Sequence, residues 1–165
     1  MRDDGVTLVE LLVVVSIVGI LAVALGFSFE GWMGNYRIES QTKTLYSDLM
    51  DARTRAMTRN RVYFVELNTD DYQIYEDTND NNALNIGAGD TALWTTAKRY
   101  GYNYALSVIG ASSLPQTITI DTRGLMSPQR DFRIDNTRNP DYDCIAITQA
   151  RIRMGKYNGT TCEEK

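Results

Sequence analysis

The sequence contains no histidine, only two cysteines and only three prolines in 165 residues. Without histidine the usual proton shuttle near neutral pH and the commonest zinc ligand are both missing. Two cysteines cannot replace them. No nucleophile elbow, phosphate-binding loop or metal-ligand cluster occurs, and the Asp and Glu side chains sit mostly in turn-like stretches. The chain is therefore expected not to be an enzyme and to use no cofactor and no metal. A strong charge bias is absent too. A net charge of -4 is too small to name a nucleic-acid or membrane partner, so electrostatics must be read locally. With 43% apolar and 23% charged residues, the composition is that of an ordinary folded domain. That excludes a disordered or collagen-like chain, and the length suits about one domain.

What is present is one concentrated apolar stretch. Leu11 to Phe29 is interrupted only by Ser16, Gly19, Gly26 and Ser28. As a helix it spans roughly 28 Å at about 1.5 Å per residue, just enough to cross a bilayer core. A cleaved secretory signal is the competing reading. Against it, the run exceeds the usual signal core and no small-x-small cleavage site leads into a polar mature end. Glu10 borders this run, with Val6, Leu8 and Val9 on its other side. A carboxylate there costs several kcal/mol unless it is partnered. A cation at the same depth would serve, and a cut after Gly5 would create one as the new amine of Val6 on an adjacent subunit.

Gly5-Val6-Thr7-Leu8-Val9-Glu10 and the apolar run after it resemble the class III signal of the type IV pilin superfamily. The resemblance implies a leader, residues 1–5, removed after Gly5 by a prepilin peptidase that methylates the new terminus at Val6, and it makes Glu10 the assembly carboxylate. The leader departs from the pattern by carrying Asp3 and Asp4 beside Arg2, without the basic flank of the positive-inside rule, and Val6 stands where Phe is commoner. Ala52-Arg53-Thr54-Arg55-Ala56-Met57-Thr58-Arg59-Asn60 resembles the long helix of one branch, minor pilins and pseudopilins of the FimT, FimU and GspH type. Where pilins often carry a helix-breaking proline, this chain has Gly26 and Phe27. The resemblance implies a single-pass protein of the bacterial inner membrane with a periplasmic C-terminal domain. Its implied partners are other pilins or pseudopilins, the prepilin peptidase, the inner-membrane assembly platform, and the lipid bilayer before assembly.

The residues themselves add organisation. Leu45, Leu49, Ala52 and Ala56 recur at steps of 4, 3 and 4, an apolar stripe on one helix face. Ser16, Gly19, Val23 and Gly26 form a small-residue stripe that suits close helix approach or is ordinary glycine in a membrane helix. Helical periodicity stops at Asn60, and Arg61 to Leu67 is rich in strand formers with poor alternation. Further strands are expected at Tyr72 to Glu76, Leu93 to Thr96, Tyr100 to Val108, Thr117 to Asp121, Phe132 to Asp135, Cys144 to Thr148 and Arg151 to Met154, with turn signals between them. The expected fold class is α+β, a long N-terminal helix packed on an antiparallel β-sheet domain, pilin-like. Its expected segments are 1–5 leader, 6–29 membrane and assembly helix, 30–60 amphipathic continuation, and 61–165 β-rich periplasmic domain.

Three local features carry competing readings. Asp77-Thr78-Asn79-Asp80-Asn81-Asn82 offers oxygens in alternation, as calcium requires, but Asn82 stands where an EF-hand needs Gly, and Ala88 where it needs Glu. A solvated turn is the plainer expectation. Residues 64–97 hold seven acids and no base, while 43–61 hold five bases and two acids. These are either solvated faces or complementary surfaces of stacked subunits. Tyr100, Tyr102 and Tyr104 alternate, as in a packed strand face or, less commonly, a ligand platform.

The resemblance implies that the C-terminal domain lies in a compartment that oxidises thiols, so Cys144 and Cys162 are expected to form a disulfide. It would close a loop of about 19 residues and contribute roughly 3 kcal/mol. Free thiols or a metal pair are the alternatives. Within that loop, Gln149-Ala150-Arg151-Ile152-Arg153, followed by Lys156, resembles a Gly-Arg-x-Arg element of this branch that is associated in some members with DNA binding. Arg151 and Arg153 on one strand face would grip two phosphates, with Tyr157 stacking on a base. The function that the resemblance implies is a structural or priming subunit of a type IV pilus or type II secretion pseudopilus. The alternative is a pilus-tip DNA receptor.

Overall fold

The computed structural model describes residues 6–101, 104–110 and 112–165, with the side chains of 24–30 outside the description. The chain divides into two compact units, the first ending at Gly34 and the second being Asn35–Lys165. Helix α1 spans Leu8–Arg59. Its backbone stays helical through Gly26 and Phe27, because one glycine, about 1 kcal/mol worse than alanine, does not break a helix by itself.

In the second unit the helix buries Ile38, Leu45, Leu49, Ala52 and Ala56, each at most 1% exposed. Leu45, Leu49, Ala52 and Ala56 are the stripe that the 3-and-4 spacing predicts, and Ile38 extends it toward the N-terminus. The helix ends at a defined cap. Asn60 takes a left-handed conformation, φ 51°, and the Arg61 amide donates back to the Ala56 carbonyl at 3.2 Å. That six-to-one bond is the Schellman pattern, in which Asn is the usual substitute for Gly. The residues 52–60 motif thus acts as a corner piece. Two alanines allow close approach, and Asn60 turns the chain into the sheet.

Eleven strands follow among the described residues: β1 Tyr63–Leu67, β2 Asp71–Glu76, β3 Thr91–Ala92, β4 Lys98–Arg99, β5 Leu106–Val108, β6 Gln116–Ile120, β7 Met126–Ser127, β8 Arg130–Ile134, β9 Cys144–Ile147, β10 Ile152–Tyr157 and β11 Cys162–Glu164. They form two antiparallel sheets. One runs β3-β2-β1-β6-β7, with β4 also pairing β2, and the other β11-β10-β9-β8-β5. Backbone bonds join the sheets at Leu106 N–H to Thr69 C=O and at Met126 N–H to Gln149 C=O, both 2.8 Å. The helix stripe, Val65, Ile74, Ile118 and Ile120 of the first sheet, and Phe132, Ile134, Ile145 and Ile147 of the second belong to one core. Poor alternation in β1 has a physical cause: Tyr63, Phe64, Val65 and Leu67 are all buried, and a strand covered on both faces reads as a continuous apolar run.

Two strand expectations are corrected. Residues 93–96 form no strand. The Leu93 amide still donates to the Ile74 carbonyl at 2.7 Å, but beyond it the Gln73 side chain donates to the Trp94 carbonyl at 2.6 Å and Trp94 meets Tyr72 edge to face at 5.8 Å, so side-chain contacts take over where the ladder ends. Among the described residues of 100–108 only 106–108 are strand. Tyr100 instead stacks on Tyr72 at 5.4 Å.

Burial makes these tyrosines resist ionisation. The Tyr63 phenol is pushed up to about 12, first by burial and then by its 2.7 Å bond to the Glu76 carboxylate. Tyr72 is raised by burial and by Asp48, and Tyr100 by burial and by Asp71. A raised folded pKa contributes stability that is complete below the ordinary tyrosine value of about 10 and is lost as pH climbs through the folded value. Absorbance titration of phenolate is therefore expected to show a late class of tyrosines ionising together with loss of tertiary structure above pH ~10. Tyr63→Phe should remove one member of that class. Reversible titration of every tyrosine near the ordinary value, with the fold intact, would contradict this.

Candidate assembly site

The first helical turn is built by Thr7 and Glu10. The Thr7 amide and hydroxyl both donate to Glu10 Oε2, at 3.0 and 2.9 Å, and the Glu10 amide donates to Thr7 Oγ1 at 3.3 Å. This is a reciprocal capping box, which satisfies otherwise orphaned donors and sets a carboxylate at the positive end of the helix dipole. The Thr-x-x-Glu spacing carries this helix-start signal as well as its part in the class III signal. Val6 is 75% exposed, and Gly5 lies outside the described residues. Every described side chain from Val6 to Val23 is exposed. Among the described residues no helix is long and apolar enough to cross a membrane. The expected span, 11–29, includes residues 24–30, whose side chains are not described.

The C-terminal candidates are brought together only in part. Cys144 and Cys162 form a disulfide, with Cα atoms 5.8 Å apart. Arg151 is exposed and closes the β9–β10 turn, its carbonyl accepting from the Thr148 amide at 2.8 Å. It precedes β10 rather than lying in it. Arg153 Nη1 pairs with Glu164 Oε2 at 2.7 Å. Lys156 falls three positions on, so the alternation of a strand sends it to the opposite face. Tyr157 is engaged within the subunit, with Arg133 over its ring at 4.5 Å and its hydroxyl donating to the Gly159 carbonyl at 2.6 Å.

The other local features resolve as internal structure. Asp77 is buried, and its two carboxylate oxygens accept from the amides of Asn81 and Asn82 at 3.3 and 2.8 Å. Asp80 and Asn82 take left-handed conformations, as Asp and Asn do in turns. Among the described residues no group of three His, Cys, Asp or Glu side chains could hold a metal ion. Part of the acidic region meets the basic one inside the subunit: Arg59 pairs with Glu76 at 2.7 Å, and Arg61 with Asp80 at 3.2 Å. The tyrosine alternation does not form a strand face. Tyr100 is buried, Tyr104 is partly buried against the core, and Tyr102 lies outside the described residues.

The sequence matches the family described as Type II transport protein GspH over residues 41–150, and the prokaryotic N-terminal methylation motif over residues 1–26. No curated protein matches it. Among solved structures, the fold is similar to the minor pseudopilin EpsH from the Type 2 Secretion System of Vibrio cholerae. That likeness has 12% identity and a TM-score of 0.54, over 73% of this chain and 97% of that one. It is similar also to the type IV minor pilin FimU of Pseudomonas aeruginosa strain PAO1, at 16% identity and a TM-score of 0.53, over 74% of this chain and 91% of that one. At such identities the likeness speaks for the fold alone. The match over 41–150 takes in the C-terminal part of α1 and strands β1 to β9, the capping box falls within the match over 1–26, and the chain belongs to the GspH family of type II transport proteins.

Proposed function

We propose that the chain is a minor pilin or pseudopilin, a structural or priming subunit of a type IV pilus or a type II secretion pseudopilus. The observation that carries this reading is the exposed apolar surface of residues 6–23, set beside a second unit whose helix buries its own stripe. A helix apolar on all sides needs a cover along its length, supplied by lipid before assembly and by neighbouring helices after it. On this reading residues 6–29 are the membrane and assembly helix of a single-pass inner-membrane protein, 30–60 its amphipathic continuation, and 61–165 a periplasmic domain. The role is structural rather than catalytic.

Processing follows from the same end of the chain. Cleavage between Gly5 and Val6 by a prepilin peptidase puts a charged amine one residue before Thr7. Thr7 already holds Glu10 through Oε2, which leaves Oε1 to accept from the amine of a neighbouring subunit. Direct DNA contact is not part of the proposal, because Arg153 is already neutralised by Glu164.

Intact-mass measurement of the membrane-purified chain, produced with an active prepilin peptidase, is expected to show loss of residues 1–5 and gain of one methyl group. A full-length mass under those conditions would contradict the proposal.

A further inference from the structure

Strand β11 is three residues long, with Cys162 half-buried and Glu163 and Glu164 exposed. An edge strand this short buries too little apolar surface to offset the entropy of ordering it, so its attachments decide whether it stays. It pairs with β10 through Gly155 and Glu164, Lys156 and Glu163, and Tyr157 and Cys162. The covalent link goes further. Cys144 lies in β9, on the other side of β10, where it too is a register partner of Gly155. The disulfide therefore steps over the middle strand. Gly155 makes the passage possible, since a Cβ there would stand 2.0 Å from the Glu163 carbonyl oxygen and 3.2 Å from Cys162 Sγ.

Beneath this crossing lies a row of charge. Asp131 and Arg153 are both register partners of Ala146, so they share one face of the sheet. Burial raises the Asp131 carboxyl above its ordinary range against the pull of the Arg153 charge and the Cys162 amide, and Glu164 holds Arg153 at 2.7 Å. Arg153 Nε is buried with no partner of its own. The rest of the sheet does not need β11: β10 is paired to β9 at four positions, and Ile152 is anchored in the core.

We propose that residues 162–165 form a redox-latched cover. Closed by the disulfide, they occupy the outer edge of β10 and hold Glu164 against Arg153. Opened by reduction, they release the edge and the arginine together, turning a protected edge strand into an unpaired one. The opening step is exchange with a dithiol reductant. Its thiolate attacks Cys162 Sγ, the more accessible sulfur, since Cys144 is only 1% exposed. Cys144 Sγ leaves as a thiolate and takes up a proton. The second thiol of the reductant then resolves the mixed disulfide, which frees Cys162 as a thiol and leaves the reductant oxidised by two electrons to its own disulfide.

Hydrogen exchange read by mass spectrometry on the full chain in detergent micelles tests the latch, comparing the oxidised protein with protein fully reduced by dithiothreitol, thiol labelling confirming both states. The expected result is at least about tenfold faster exchange, or 1.4 kcal/mol of lost protection, in peptides covering 154–157 and 160–165, with β1, β8 and β9 unchanged. In oxidised Glu164→Gln those peptides should stay protected, since the covalent bond and not the ion pair is the latch. A uniform rise across the second unit on reduction, no change at 160–165, or loss of protection in oxidised Glu164→Gln would each overturn the proposal.

Discussion

Truncating Leu49 to alanine is expected to destabilise the second unit by about 2–5 kcal/mol, the cost of deleting a buried leucine and leaving a cavity behind. Leu49 is 1% exposed and belongs to the core that the helix stripe shares with both sheets. Its loss is therefore felt by the helix and the sheets together. Against a total stability of roughly 5–15 kcal/mol, this is a large fraction. The midpoint of thermal unfolding should fall by roughly 5–20 °C for a domain of this size, followed by near-ultraviolet circular dichroism of the detergent-solubilised full chain. Arg55→Ala is the control, because its 2.7 Å pair with Asp51 is solvent-exposed, and such pairs contribute about 0.3–0.5 kcal/mol. Equal shifts in the two variants would remove the helix stripe from the core.

The same contrast explains what the sequence could reveal. Leu45, Leu49, Ala52 and Ala56 announced a buried face because a helix of four or more turns repeats its period often enough to be seen. The five-residue strands β1, β6 and β8 were found from strand formers between turn signals. The two-residue strands β3, β4 and β7 and the three-residue β11 have no period to read, and they exist because long-range partners fix them. Trp94 and Tyr100 depart from the strand expectation for a related reason. Aromatic residues favour strands, yet here Tyr72 organises both by ring contact.

At the candidate sites, legibility followed the range of the interaction. The cysteine pairing is expected from the oxidising compartment that the family resemblance implies, and the disulfide is present. Its passage over Gly155 depends on three strands meeting and could not be read from spacing. The Arg153 partner is not legible in the sequence, because Glu164 lies eleven residues away across a hairpin. The capping of Glu10 by Thr7 needed only three residues of sequence.

Replacing Glu10 by alanine is expected to reduce recovery of the chain in filaments to background. On the proposed reading Glu10 is the acceptor for a neighbouring subunit's amine, and an amine left unpaired in an apolar setting costs several kcal/mol at every junction. The same variant loses its capping box, worth about 0.5–2 kcal/mol locally. That loss falls on the first unit, far in sequence from the core of the second, so folding of residues 35–165 should be unaffected. Glu10→Gln separates the two effects, since an amide oxygen can still cap the helix while no longer offering a charge. The most direct measurement is quantitation of the chain in sheared filaments and in membranes, for the unsubstituted protein, Glu10→Ala and Glu10→Gln, in cells with the prepilin peptidase and filament machinery. A filament subunit held by this carboxylate predicts equal membrane levels for all three and filament recovery for the unsubstituted chain alone. Equal recovery of all three in the sheared fraction would contradict it.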